Sequence, residues 1–282
     1  MPGIYGFNTR DNSLERDTMN CLFRSMREIV HHRNDYITRE SSHESFMVGK
    51  KCLPHSPWID CSVQEIGNSY VIFMDGAIFS YEDGDGRHEV TDQNEIIPIL
   101  VRQYEKYGVL KMDKVNGEFV IGLYDKKTKV LVIANDRWGM RELYYYIDKS
   151  ICIFSSEVKA ILQYSVLQPR INEEAVVDFL NFGYLLGNKT FFEGITLLPP
   201  GSSLIVDEKK HTINSHRFTL NPTLSGSDFD DYVDTAYALL NRSVADRARN
   251  RNRVASYLSG GLDSRIITGI LSRHVPNVDT FT

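Results

Sequence analysis

Along the first two-thirds of the chain, hydrophobic residues gather in short β-branched and aromatic runs separated by polar turns. Tyr70–Ile78 is one such run, and the Asp75-Gly76 pair inside it reads as a turn signal that interrupts the strand. Glu118–Tyr124 and Val130–Ala134 are two more, joined across the polar stretch Asp125–Lys129. Leu143–Ile147 and Ile151–Phe154 repeat the arrangement across Asp148-Lys149-Ser150. Between the strands the period changes to that of a helix. Ile96, Ile97, Leu100, Val101 and Tyr104 mark one buried face of a helix over Glu95–Tyr107. Further helices are expected over Glu173–Phe182 and from about Leu14 to the polar pair His31-His32.

Strands and helices in clusters, without steady β-α alternation, predict a layered α+β domain over residues 1–218. Residues 219–227, which include Asn221-Pro222 and Ser225-Gly226-Ser227, read as a linker. Residues 228–282 follow another pattern. A helix over Asp228–Arg247 has Asp228, Asp230, Asp231 and Asp234 near its start and Arg242 and Arg247 near its end, which complements the helix dipole. A mostly apolar strand, Val254–Leu258, comes next, then a Gly-rich turn, a helical stretch over Arg265–Leu271, and the start of a second strand at Val278–Thr282. That order is the opening of an α/β domain.

Composition narrows the class of protein. The 282 residues are 42% hydrophobic and 24% charged, with a formal net charge of -5, which excludes disordered, collagen-like and low-complexity architectures. No apolar run approaches the roughly 18–20 residues of a membrane span, and no signal pattern opens the chain, so a cytoplasmic protein without membrane partners is expected. The acidic balance gives no reason to bind nucleic acid, and the arginines at 242–253 lack interleaved aromatics. Cys21, Cys52, Cys61 and Cys152 are irregularly spaced, and neither they nor the histidines form a zinc or redox motif.

The strongest chemical signal is Ser259-Gly260-Gly261-Leu262-Asp263-Ser264 directly after an apolar strand and before a helix. Strand, glycine turn and helix present bare backbone N–H groups to an anion. Glycines let the chain approach a polyphosphate closely, and Ser259 and Ser264 add hydroxyl donors. Asp263 would repel phosphate unless a cation lies between them, which implies Mg2+. Two other strings fail as sites. Gly183–Thr190 imitates a phosphate loop but has Asn188 where its second glycine is required, and Asp83-Gly84-Asp85-Gly86 lacks the glutamate of a calcium loop and reads as a surface turn.

The whole Ser259–Ser264 string is similar to the pyrophosphate-binding loop of the N-type ATP pyrophosphatases. That resemblance implies that Leu258, Ser259, Gly260, Gly261, Leu262, Asp263 and Ser264 bind ATP, with Asp263 holding Mg2+. With this loop opening the second domain, the first resembles the class II glutamine amidotransferase domain of the asparagine synthetase family. Gly3–Phe7 is similar to its opening strand, His32-Arg33-Asn34-Asp35 to its H-R-G-P-D segment and Met74–Phe79 to its N-G-E-I-Y. Asn116–Phe119, Asn135–Gly139 with Leu143-Tyr144-Tyr145, Ser155–Ala160 and Leu198-Pro199-Pro200-Gly201 follow in family order. The resemblance implies an Ntn-hydrolase-like αββα sandwich followed by an adenine-nucleotide α-hydrolase-like domain. It also implies an ATP-dependent ligase acting on a small-molecule or peptide carboxylate, with a non-catalytic scaffold or regulatory remnant of the family as the alternative. Homodimerisation is left open. The family's second magnesium aspartate and its substrate pocket would lie beyond Thr282, so the chain reads as part of a longer protein or as a truncated gene product.

The sequence departs from the family where glutamine would be hydrolysed. Pro2 stands at the position of the family's nucleophilic cysteine, and proline has no side-chain nucleophile. Asp75 replaces an oxyanion-stabilising asparagine, so Asp75 and Gly76 would form only a vestigial oxyanion hole. The acidic residue that holds the substrate amino group aligns with Gln93, next to Asp92. The arginine for its carboxylate has no clear match around Lys50-Lys51-Cys52-Leu53. The expectation is an amidotransferase fold without glutaminase activity. The nitrogen would come from ammonia or from an amine of the substrate, as in β-lactam synthetase and the lasso-peptide cyclases. Arg265 stands where the family usually has serine, which also points to divergent relatives.

Overall fold

A computed structural model describes residues 3–10, 14–54, 63–215 and 228–282. Pro2 and the expected linker over 219–227 lie outside them. The chain divides into two compact units, residues 1–218 and 219–282.

The first unit opens with β1 (Ile4–Thr9), α1 (Arg16–Ile29), β2 (Ile37–Ser42), β3 (Phe46–Cys52) and β4 (Val63–Ile66). The long strand β5 (Tyr70–Asp83), β6 (Gly86–Glu89), a 3-10 turn over Gln93–Ile96 and α2 (Ile97–Tyr107) follow. Then come β7 (Val115–Asp125), β8 (Val130–Asn135), β9 (Tyr144–Ile147), β10 (Ile151–Ser155), α3 (Val158–Ile161) and α4 (Glu173–Phe182). The unit closes with β11 (Thr196–Leu197), β12 (Ser202–Val206) and β13 (His211–Ser215).

These strands form two sheets. One runs β11-β9-β10-β1-β3-β2 and the other β13-β12-β8-β7-β5-β4, with β6 paired to β5; the pairings are antiparallel. The two-residue period of the strands decides what lies between them. Ile4, Phe46, Val48 and Phe154 of the first sheet pack with Val71, Phe73, Val120, Tyr124, Leu131 and Ile133 of the second. Across that interface Phe46 stacks on Tyr124 with centroids 4.3 Å apart, and Phe73 on Phe154 at 5.3 Å. The alternate residues face outward. Tyr5, Phe7, Met47, Ile151 and Ile153 meet Met19, Leu22, Phe23 and Met26, the buried stripe of α1. Ile72, Met74, Ile121 and Val132 meet Ile97, Leu100 and Tyr104 of α2 on the other side. Helix, sheet, sheet and helix make the expected αββα sandwich.

One expectation is corrected. Asp75-Gly76 makes no turn, and β5 runs straight through it. Gly76 has φ +102°, and a Cβ there would lie 1.8 Å from the carbonyl oxygen of Glu118 on β7. Close approach of two strands, not chain reversal, demands this glycine. A Gly76→Ala variant is expected to lose about 2–4 kcal/mol of stability, from backbone strain plus overpacking, in a urea-unfolding measurement.

Both rejected strings are explained by the fold. Gly183 ends α4 in the left-handed conformation, φ +76°, so a helix leads into this segment where a phosphate loop would need a strand. Lys189 pairs with Asp178 of α4. Asp83–Gly86 is the turn of the β5–β6 hairpin, where the Asp83 carboxylate accepts from the Asp85 N–H and from His88.

The second unit contains α5 (Phe229–Ala248), β14 (Arg253–Tyr257), α6 (Leu262–His274) and β15 (Asn277–Phe281). Asp228 caps α5 through the N–H of Phe229. Strands β14 and β15 pair in parallel, Arg253 opposite Asn277 through Tyr257 opposite Phe281, with α6 as the crossover. A small core of Val244, Ala248, Ile270, Leu271 and Val275, with Val254 and Val278 against it, holds the unit together. Helix α6 begins at Leu262, three residues before the sequence expectation, so Asp263 and Ser264 belong to its first turn. Among the described residues no helix is long and apolar enough to cross a membrane.

Candidate functional sites

The first site lies between the two sheets. The same alternation that buries Val48 and Phe73 brings Lys50 of β3 and Asp75 of β5 to face one another from opposite sheets. Lys50 Nζ is 3.0 Å from Asp75 Oδ1 and donates to the carbonyl of Met74 at 2.9 Å. Both residues are buried, at 5% and 9% exposure. The Asp75 carboxylate is therefore held by an ammonium, and an ionised carboxylate has no N–H of its own to donate.

Asp75 also lines a cleft of about 610 Å³, together with Arg141, Glu142, Tyr144, Ser156 and Glu157. The entry into β1 is tied to this cleft. The Gly3 carbonyl accepts from the N–H of Lys51, and the N–H of Ile4 donates to Ser156 Oγ at 3.0 Å. Glu157 is paired with the His32 ring at 2.7 Å and the Lys159 ammonium at 2.9 Å. Burial works against the charged form of Glu157, but the hydrogen bonds from His32 and Lys159 and the Lys159 charge together hold its pKa below the ordinary carboxylate value.

Gln93 is corrected as a substrate-binding residue. It is 4% exposed, its Oε1 accepts from the N–H of Ile78 at 2.8 Å, and its Nε2 donates to the carbonyl of Ile78 at 2.8 Å. Its side chain thus completes the backbone hydrogen bonding of β5 beside the register shift at Ile78 and Ser80. The adjacent Asp92 caps the 3-10 turn through the N–H of Asn94. Two further residues of the family-like segments hold backbone. Asp136, 1% exposed, accepts from the N–H groups of Phe119, Trp138 and Met140. Asn135 donates to the carbonyl of Pro199 and accepts from the N–H of Ser202, which pins the Leu198–Gly201 turn.

The second site is the loop between β14 and α6. The Leu258 N–H donates to the carbonyl of Phe281, continuing the sheet for one residue past β14. The chain then turns through Gly260, φ +85°, and enters α6 at Leu262 with Gly261 as N-cap. Ser259 Oγ and Ser264 Oγ lie 3.2 Å apart, and Ser264 Oγ donates to the carbonyl of Gly261. A second bracket, Ser256 Oγ to Thr268 Oγ1 at 2.9 Å and Thr268 Oγ1 to the Ser264 carbonyl at 2.8 Å, fastens α6 to β14 beneath the loop. The donor set suits a polyphosphate: orphan N–H groups of a helix start, two hydroxyls, and open space where a Cβ on Gly260 would project. Asp263 is in the first turn and exposed. Among the described residues no group of three or more His, Cys, Asp or Glu could hold a metal. Asp263 would be the carboxylate of this loop to hold a magnesium ion beside the phosphates.

Both sites fall within segments of known kind. A family model for the glutamine amidotransferase domain matches residues 1–219, and a model for asparagine synthase matches residues 235–282. The chain belongs to the asparagine synthetase family, with an amidotransferase domain at its N-terminus. Asparagine synthetase [glutamine-hydrolyzing] 3 of Bacillus subtilis is 28% identical over 214 residues, covering 74% of this chain and 34% of the relative. A Methanocaldococcus jannaschii protein carrying the name asparagine synthetase is 27% identical over 205 residues, 71% of this chain and 40% of its own. An amidase of Gibberella zeae is 27% identical over 208 residues, 71% of this chain and 30% of its own. The matched part of this chain thus spans 30–40% of the length of these relatives.

Proposed function

We propose that the protein is an ATP-dependent, AMP-forming amide ligase of the asparagine synthetase type that does not draw its nitrogen from glutamine. The observation that carries this reading is the Ser259–Ser264 loop, set between a parallel strand and a helix start with residues 259–263 exposed and Ser264 half-buried. An acceptor carboxylate, from a small molecule or a peptide, attacks the α-phosphorus of ATP. The bond to the β-phosphate oxygen breaks, and pyrophosphate leaves into the loop. An amine then displaces AMP from the acyl adenylate. The N–H groups of Leu262, Asp263 and Ser264 and the hydroxyls of Ser259 and Ser264 orient the phosphates. Asp263 would hold magnesium, which supplies charge neutralisation for the phosphate oxygens.

The nitrogen source follows from the first site. Pro2 offers no thiolate, and Asp75, which by resemblance replaces an oxyanion-stabilising asparagine, is a carboxylate paired with Lys50. Both changes argue for free ammonia or a substrate amine. The test is exchange of labelled pyrophosphate into ATP by the full-length protein across a panel of carboxylates. Exchange that depends on one carboxylate is expected; no exchange with any of them, at saturating magnesium, would leave a scaffold or regulatory member of the family.

A further inference from the structure

The loop from Leu258 to Ser264 contains one ionisable side chain, Asp263, and it is negative. A triphosphate bound there brings several more negative charges, of which a divalent cation offsets only a part. The next residue is Arg265, exposed and on the first turn of α6. Its Nε donates to the carbonyl of Gly261 at 3.3 Å, which ties the guanidinium to the N-cap of the helix. A guanidinium has five N–H donors in a rigid fork, and this bond uses the one on Nε. The two terminal nitrogens remain as a pair of the kind that grips phosphate oxygens bidentately.

We propose that Arg265 binds the departing pyrophosphate. When the acceptor carboxylate oxygen bonds to the α-phosphorus, the bond from that phosphorus to the bridging oxygen breaks. Its electron pair passes to the pyrophosphate, whose added negative charge meets the Arg265 fork. The contact therefore strengthens as the adenylate forms, and Arg265 favours the leaving group over intact ATP. This rests on the ligase reading of the loop. It adds a residue outside the Ser259–Ser264 string, at a position where the family usually has serine.

The experiment is calorimetric titration of the full-length protein with magnesium pyrophosphate and, separately, with magnesium ATP. Arg265→Ser is expected to weaken pyrophosphate binding by about tenfold or more, as loss of a charge-assisted pair does, and ATP binding by less. Arg265→Lys should fall between the two, because a single ammonium cannot hold the Gly261 carbonyl and two phosphate oxygens together. Thermal unfolding of both variants should match the parent, since the side chain is exposed. Arg265→Ser binding pyrophosphate as tightly as the parent overturns this inference and leaves the loop reading standing. A parent protein that binds neither ligand overturns both.

Discussion

Replacing Lys50 by Met is expected to lower the stability of the first unit by about 3–5 kcal/mol, because the change leaves the Asp75 carboxylate buried without its counter-charge. Lys50 and Asp75 come from different sheets, lie 3.0 Å apart and are both shielded from water. Lys50 also satisfies the carbonyl of Met74, which the variant would leave without that donor. Removing both charges should behave differently. A Lys50→Met/Asp75→Leu protein is expected to recover most of the loss, since a buried ion pair replaced whole by apolar side chains is often neutral. Urea unfolding at neutral pH of the parent, the single and the double variant decides the matter. Equal stability of the single and double variants would show that the pair is not what the single change disrupts.

Asp263→Asn is expected to reduce carboxylate-dependent pyrophosphate exchange by at least about 100-fold, the scale of losing a direct metal ligand rather than a residue behind it. Asp263 is exposed, and its change should leave the unfolding transition where it was. Raising magnesium should restore part of the exchange, because the remaining oxygen ligands still bind the ion, more weakly. A variant with unchanged exchange at low magnesium would remove Asp263 from the site.

Much of this was legible in the sequence because local pattern and tertiary role agree there. The Ser259–Ser264 string sits where strand, loop and helix were expected, and the apolar stripe from Met19 to Met26 needs only helical spacing to find the sheet. The misread positions are those where a partner distant in sequence decides the role. Asp75-Gly76 is a turn signal by local rule, and only the carbonyl of Glu118, more than forty positions away, makes Gly76 a strand residue. Gln93 lies beside an acid and imitates a binding residue until Ile78 is seen to use both ends of its amide. Lys50 read only as a missing arginine. Its alternation with Phe46 and Val48 was a usable signal that it faces inward, but the carboxylate that permits its burial belongs to the other sheet. The hairpin of β12 and β13 was also missed; the Ser-rich and charged residues around Ser202 and Asp207 hide a strand pair that the β8 edge completes.

We propose a ligase that forms AMP without hydrolysing glutamine. Its most direct test follows AMP and glutamate together in the full-length protein, with ATP, magnesium and the carboxylate identified by exchange. The expected result is AMP formation with ammonium chloride or an amine, and glutamate release from glutamine no faster than without enzyme. AMP that forms only with glutamine, accompanied by an equal amount of glutamate, would contradict it.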